Sequence, residues 1–364
     1  MVAVHGNVGP NNDLEEAEDA SEQEDEESTT TVRYLISSYG ADYPVDSIVS
    51  RLTSKAIDIP EFQRGFVWSW AQASKFIESL LIGLPVPGIF LSRDPGTQKL
   101  FVIDGQQRLQ TLSTFYEGVL LGREFKLRGV NEEFEGLTYK TLDENDRIRL
   151  DDAIIHATII KQDDPEDDHT SIYLVFERLN TLGTPLSPQE IRACVYDGKF
   201  SRLLGDLDDN EQWRLLYTPS RKRSKGQEMI LRFFSLFYNF DSYKRPMKLF
   251  LTDFMASNRG LEKYGKDELE RLFAKTVGFS VEHLSSQNFR IERGFNTSVA
   301  DAVLVAVASR LDKGEIKEPL KVRDALLSLV ETDEFIDMCK VGTTDEDNVR
   351  GRISLAVDAI KSLP

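Results

Sequence analysis

The sequence predicts an α+β domain followed by an all-α-helical domain. Three observations carry that reading. Between about residues 45 and 165, short apolar runs broken by turn signals alternate with helical periodicity. From about residue 170 only the helical period remains, and the acidic stretch "KQDDPEDDHTS", 161–171, sits at the change. A chain of 364 residues has room for both parts at roughly 100–200 residues per domain. The predicted division is an acidic tail over 1–32, an α+β domain over 33–165 and a helical domain over 166–364.

The tail comes first. Residues 13–27, "DLEEAEDASEQEDEE", hold ten acids, more than half of the net charge of -17. With almost no apolar residues, this segment cannot offset its ordering entropy by burial and is expected to be disordered. It reads either as a solubilising leader or as a mimic of nucleic-acid charge, and composition does not choose between them. The N-terminus lacks a basic segment followed by an apolar core, so no secretory signal is read there. No apolar stretch nears the ~20 residues of a membrane span. The only cysteines, Cys194 and Cys339, are far apart and have no His partner suggested by spacing. That pattern points to a reducing cytoplasm and away from thiol catalysis.

In the α+β part, "AIDIP" reads as a short strand closed by Pro60. "WSWAQASKFIESLLIGLPVPG" follows, with Phe76, Ile77, Leu80 and Leu81 at helical spacing and Gly83 ending the pattern. "GIFLSRD" and "KLFVIDG" flank the turn signal "PGTQ" and read as paired strands. "QRLQTLSTFYEGVLLG" restores the helical period through Leu109, Leu112, Phe115 and Leu120, with an end expected at Gly122. In the apolar "AIIHATII", His156 is expected to be a packed strand residue. Further on, "SIYLVFERLNTLG" is an amphipathic helix stopped at Gly183. "LSPQEIRACVYDG" then opens with Ser187 as N-cap, Pro188 at the first helical position and Glu190 three residues after the cap. The remaining segments favour helix to the end, without a repeat of constant period.

The most informative junction is "FVIDGQQRLQTL", 101–112. An Asp-Gly pair lets the chain turn tightly into a helix whose start favours anions, phosphate above all. Arg108 adds a planar, permanently charged fork suited to phosphate oxygens. Gln106 and Gln107 can orient a water or a ribose, and Asp104 could hold a divalent cation that bridges to phosphates. A nucleotide site and a polar turn with a salt-bridged arginine both fit these residues. A second stretch, "DIPEFQRGFVW", 58–68, delivers Gln63, Arg64 and Trp68 from the end of another strand. If the two strands share a sheet, Arg64 and Arg108 face one crevice. Arg64 could equally be a surface ion-pair residue, with Phe62, Phe66 and Trp68 as ordinary core.

These segments, "IPEFQR…W", "IESLLIGLPVPGIFL" and "FVIDGQQRLQTL", resemble the DGQQR-motif branch of ParB/sulfiredoxin-like domains. That branch is found in GmrSD-type modification-dependent restriction enzymes and related phage-defence proteins. "VFERLNTLGTPLSPQEIRACVY", 175–196, is similar to the family's second signature, so the resemblance spans roughly residues 45–200. It implies a small ParB/sulfiredoxin-like α+β fold and a motif, Asp104, Gly105, Gln106, Gln107 and Arg108, that binds and hydrolyses a nucleoside triphosphate to control DNA cleavage. Gln63 and Arg64 match the arginine-bearing strand exit. Full-length restriction members append a nuclease built on clustered histidines. Here the four histidines, His5, His156, His169 and His283, form no such cluster in sequence. Cleavage would therefore come from a separate nuclease subunit.

Other candidates are weaker in kind. Asn180 and Gly183 suit a helix end, while Asn180 and Thr184 could instead reach a nucleotide. "PSRKRSKGQE", 219–228, holds Arg221, Lys222, Arg223 and Lys225, the only dense basic run. It is either a solvated loop or a DNA-backbone contact acting through counterion release. "FRIERGFNTS", with Arg290, Arg293 and Asn296, could add to the same surface.

The leading expectation is a Mg²⁺-dependent nucleoside triphosphatase, the cytoplasmic sensor or regulatory subunit of a restriction or phage-defence system. Arg108 and the helix start would bind phosphates, Asp104 would hold Mg²⁺, a glutamine would orient water and Arg64 would close the site. Positioning groups suffice for phosphoryl transfer. The rival expectation is a DNA-binding or adaptor module that uses nucleotide only as a conformational ligand, a caution that the acidic pI near 4.8 supports.

Overall fold

A computed structural model describes residues 35–59, 66–94, 97–164, 173, 175–178, 186–217, 224–291 and 294–364. The acidic tail, most of the acidic stretch 161–171 and the end of the helix expected at Gly183 lie outside them. The chain divides into two compact units, one reaching Val195 and the other running from Tyr196 to Pro364.

In the first unit the elements are β1 (Leu35–Pro44), α1 (Val45–Thr53), β2 (Ile57–Asp58), α2 (Trp70–Leu81), β3 (Ile89–Arg93) and β4 (Leu100–Asp104). There follow α3 (Gln106–Glu117), a hairpin of β5 (Val119–Leu120) and β6 (Arg123–Glu124), α4 (Glu144–Asp151), β7 (Ile154–Asp164) and α5 (Pro188–Val195). Five strands make one mixed sheet in the order β1-β7-β3-β4-β2. β3 and β4 pair antiparallel, as their turn signal predicts. β2 runs parallel to β4, with Ile57 opposite Leu100 and Asp58 opposite Phe101. The two strand exits seen in the sequence therefore leave one sheet side by side, at its edge.

Along β7, Ile155, Ala157 and Ile159 are buried while Ile154 and His156 are exposed. One sheet face is thus covered, and α2 and α3 contribute Ile77, Leu80, Leu109, Leu112 and Phe115 to the same core. His156 is not packed as expected. Period-two alternation puts it on the face opposite that core, at an exposed position where its Nδ1 lies 2.8 Å from Asp42 Oδ1 of β1. β1 itself gave no strand signal. It pairs only with β7; Ser37 to Gly40 are exposed, and only Ala41 and Tyr43 pack against the core. Ser69 caps α2 in a reciprocal box with Gln72. Phe66 and Trp68 pack against the core, Trp68 edge-on to Phe76 with centroids 5.7 Å apart. α3 stops a turn before the expected Gly122. Gly118, at φ +81°, takes the left-handed cap that glycine favours, and the chain turns into β5. The start of α5 is as predicted: Ser187 Oγ accepts from Glu190 N and Glu190 Oε2 accepts from Ser187 N.

The second unit is helical: α6 (Lys199–Asp208), α7 (Glu211–Leu216), α8 (Lys225–Asn239), α9 (Met247–Ser257) and α10 (Lys266–His283), then a short hairpin of β8 (Arg290–Ile291) and β9 (Gly294–Phe295). It ends in α11 (Thr297–Asp312), α12 (Pro319–Val330), α13 (Asp333–Lys340) and α14 (Glu346–Ile360). α11 is apolar nearly all round and is buried over most of its length, as such helices must be. Its one buried carboxylate, Asp301, accepts from Arg232 of α8 at 2.6 Å and from Arg352 of α14 at 3.3 Å. A buried charge persists only when paired in this way. Among the described residues, no helix is long and apolar enough to cross a membrane.

Candidate functional site

The junction of β4 and α3 is built around Gly105. Its φ of +101° lies in the region that side chains resist, and an added Cβ would sit 2.5 Å from Ile89 Cγ2. Both demands leave only glycine. Asp104 ends β4 with its side chain half exposed, and Gln106, Gln107 and Arg108 form the first turn of α3. Arg108 is folded back rather than extended. Nη1 donates to the carbonyls of Pro87 at 2.7 Å and Gly88 at 2.6 Å, and Nη2 donates to Asp104 Oδ2 at 2.6 Å. One guanidinium thus ties the loop before β3, the end of β4 and the start of α3. Only a planar fork can serve three acceptors so placed.

Gln107 makes a second tie. Its Oε1 accepts from the backbone N–H of Val67 at 2.9 Å and of Trp68 at 3.2 Å. The motif helix is thereby fastened to the segment that follows β2. Of the sequence candidates, the structure brings together Asp104, Gly105 and Arg108, with Gln106 and Gln107 in the same turn. Gln63, Arg64, Asn180, Thr184, Arg221, Lys222 and Arg223 lie outside the described residues, as does Arg293. Lys225 begins α8 in the second unit, half buried.

A cavity of about 360 Å³ opens along the flank of α3. Leu52, Ile57, Ile59 and Phe66 give it an apolar floor, and Lys55, Asp58, Gln110, Ser113, Thr114 and Glu117 give it a polar wall. Ile59 and Phe66 are the residues that bracket the stretch carrying Gln63 and Arg64 in sequence. Sequence reasoning missed Asp58 and Gln110. The signal was present in the helix period, since Gln110 and Glu117 follow Gln106 by four and eleven residues on one face.

The titratable groups around this core are mostly structural. Glu78 is buried, and its carboxyl is held below the usual range by a hydrogen bond from Lys75 and by the Asn131 N–H. At the far end of α3, Tyr116 and Tyr139 stack at 4.0 Å and both donate to Asp151. Burial, then the Asp151 carboxylate, pushes both phenols up, so neither gives up its proton near neutral pH. In the second unit, burial pushes the Cys339 thiol up to about 12, which leaves it inert as a nucleophile. Among the described residues, no three His, Cys, Asp or Glu groups converge as a metal site.

The first unit is thus an α+β domain whose glycine-turned strand exit opens a helix beside an edge-strand cavity. Residues 45–196 match the family described as "GmrSD restriction endonuclease, N-terminal domain", and this segment is a domain of that type. A solved structure of a Pnob8-like ParB-N domain aligns with 88% of this chain and 100% of its own, at 10% identity and a TM-score of 0.23. No curated protein matches the chain.

Proposed function

We propose that the chain is the nucleotide-binding regulatory component of a restriction or phage-defence system, with the β4–α3 junction as the phosphate site. The observation that carries this reading is the shape of the junction. A helix begins at a left-handed glycine, its first turn is pinned by Arg108 and Gln107, and a cavity of ligand size runs along its flank. The match of residues 45–196 to the N-terminal domain of a restriction endonuclease supplies the biological setting.

In this reading the backbone of the first α3 turn faces the phosphates, and Arg108 holds the turn in place while lending it positive charge. Asp104 is the carboxylate that would hold Mg²⁺. A single half-exposed carboxylate suits an ion that arrives with the phosphates and keeps its waters, and does not suit a resident metal. When bound, Mg²⁺ would supply neutralisation of the phosphate charge. Hydrolysis asks a glutamine to orient water. Either Gln106 or Gln107 would fill that role, and Gln107 would do so through its amide end, because its carbonyl is engaged by two backbone amides.

The same engagement favours a second reading, in which nucleotide is a conformational ligand and is not turned over. Gln107 joins the motif helix to the 67–68 segment, so a ligand at the helix start would shift both. DNA contact through Lys225 and its basic neighbours, and partnership with a separate nuclease subunit, belong to either reading. Titration of the purified chain with each NTP in Mg²⁺, with phosphate release followed in parallel, decides the matter. Binding that Asp104→Ala removes from a folded protein is expected. Failure of the wild type to bind any NTP, with or without DNA, would overturn the proposal, and binding without release would select the second reading.

A further inference from the structure

We propose that two copies of the chain dock through the β5–β6 hairpin, the tip of each filling the cavity beside α3 of the other. The proposal goes beyond the nucleotide reading and does not need it. It begins with two penalties that meet at one residue. Leu121 and Gly122 make the two-residue turn between Leu120 and Arg123, at φ +50° and +74°. Turns of this hand ordinarily place Asn or Asp before the glycine, because a branched apolar side chain resists the left-handed region. The same leucine is 66% exposed, and Val119 beside it is 49% exposed. An exposed leucine alone is ordinary, but one held in a disfavoured backbone conformation marks a tip built to meet something.

A receptor of matching character lies close by on the same domain. The cavity of about 360 Å³ runs along α3 as far as Glu117, two residues before Val119. Its floor of Leu52, Ile57, Ile59 and Phe66 is apolar, and it has room for a leucine side chain. Charge matches as well. Arg123, next after the turn, is exposed and has no ion pair among the described residues, while Glu124 is taken up by Lys126 at 2.9 Å. The cavity wall carries two carboxylates, Asp58 and Glu117, against one cation, Lys55. Tip and cavity are thus an apolar group flanked by a cation and an apolar hollow flanked by excess negative charge. With Leu121 so exposed, the tip does not fill the cavity of its own chain. A two-fold axis satisfies both at once, since each tip then meets the other copy's cavity. Each copy has a net charge of -17, so this local fit has to outweigh a long-range repulsion that salt screens.

Sedimentation equilibrium of the full chain without nucleotide tests the proposal. The wild type is expected to form a reversible dimer. Leu121→Gly suits the turn and removes the tip, so it should weaken the dimer at least about tenfold while the melting temperature at the lowest concentration holds or rises. Leu121→Asp, which spoils the tip, and Ser113→Trp, which fills the cavity, should each leave the chain monomeric. Mixing these two variants should restore association, because the mixed pair keeps one intact tip and one open cavity facing each other. A monomeric wild type, a dimer that keeps its affinity in Leu121→Gly, or a mixture of the two folded variants that stays monomeric would overturn the proposal. No nucleotide enters these measurements, so their failure leaves the phosphate reading standing, and failure of NTP binding leaves the dimer standing.

Discussion

Arg108 Nη2 and Asp104 Oδ2 lie 2.6 Å apart across the turn that Gly105 makes, while Nη1 of the same arginine holds the carbonyls of Pro87 and Gly88. The two charged residues of the DGQQR stretch are thus partners, and the arginine is the more buried, at 12% exposure against 50%. Arg108→Ala is expected to cost about 2–3 kcal/mol, mostly from the two stranded carbonyls, since the ion pair with a half-exposed carboxylate contributes little. Asp104→Asn should cost under about 1 kcal/mol by the same logic. Arg108→Lys should recover little of the loss, because a point charge cannot serve three acceptors. Urea midpoints of the three variants, measured at constant slope, check the ranking.

Gln107 reaches from α3 to the amides of Val67 and Trp68. Gln107→Ala should release both amides and weaken the protein by roughly 1–2 kcal/mol. Hydrogen exchange reads this directly. Protection at Val67 and Trp68 should fall well before that of the α3 interior. Equal loss throughout α3 would mean that the side chain supports the helix rather than the joint.

Gly105 and Gly118 flank α3, both with positive φ, but only Gly105 faces a neighbour. Gly118→Ala should cost about 1 kcal/mol for the left-handed backbone alone. Gly105→Ala carries the same term and adds the clash with Ile89, for a total of about 2–4 kcal/mol. Thermal melts of the two variants side by side isolate the contribution of the close approach.

Glu78 supplies a pH signature. Its folded pKa is lowered, first by the Lys75 hydrogen bond, so its stabilisation is full above its ordinary value near 4.5 and is lost as pH falls through the depressed folded value. Wild-type stability should therefore decline more steeply than that of Glu78→Gln below about pH 4.5. At pH 7 the variant should be weaker by about 1–2 kcal/mol, through the Asn131 N–H and Lys75 bonds it loses or weakens. Parallel slopes across the acid limb would show that other carboxylates dominate.

The sequence by itself determined the elements whose signals are local. The capping residues Ser187 and Glu190, the turn before β4 and the strand-to-helix passage at Gly105 all lie within a few residues of what they control. The same short range made the DGQQR stretch legible as a strand exit opening a helix, within the residues 45–196 that match the restriction-endonuclease N-terminal domain. Period-two alternation was also readable, but not which face of β7 would be covered, and so His156 was misplaced. β1 was missed because it is an edge strand with one neighbour, exposed from Ser37 to Gly40, whose apolar alternation is confined to its last residues, Ala41 and Tyr43.

Tertiary structure decided the rest, because the deciding partners are distant in sequence. Nothing near Arg108 in the chain foretells that its Nη1 meets the carbonyls of Pro87 and Gly88, about twenty residues earlier. Nothing near Gln107 in the chain foretells that its carbonyl accepts from the amides of Val67 and Trp68, about forty residues earlier. The cavity wall of Asp58 and Gln110 exists only because β2 lies at the sheet edge beside α3, about fifty residues later in the chain. Caps and turns are settled by neighbours in sequence, whereas the use of a long polar side chain depends on what the fold places at its tip.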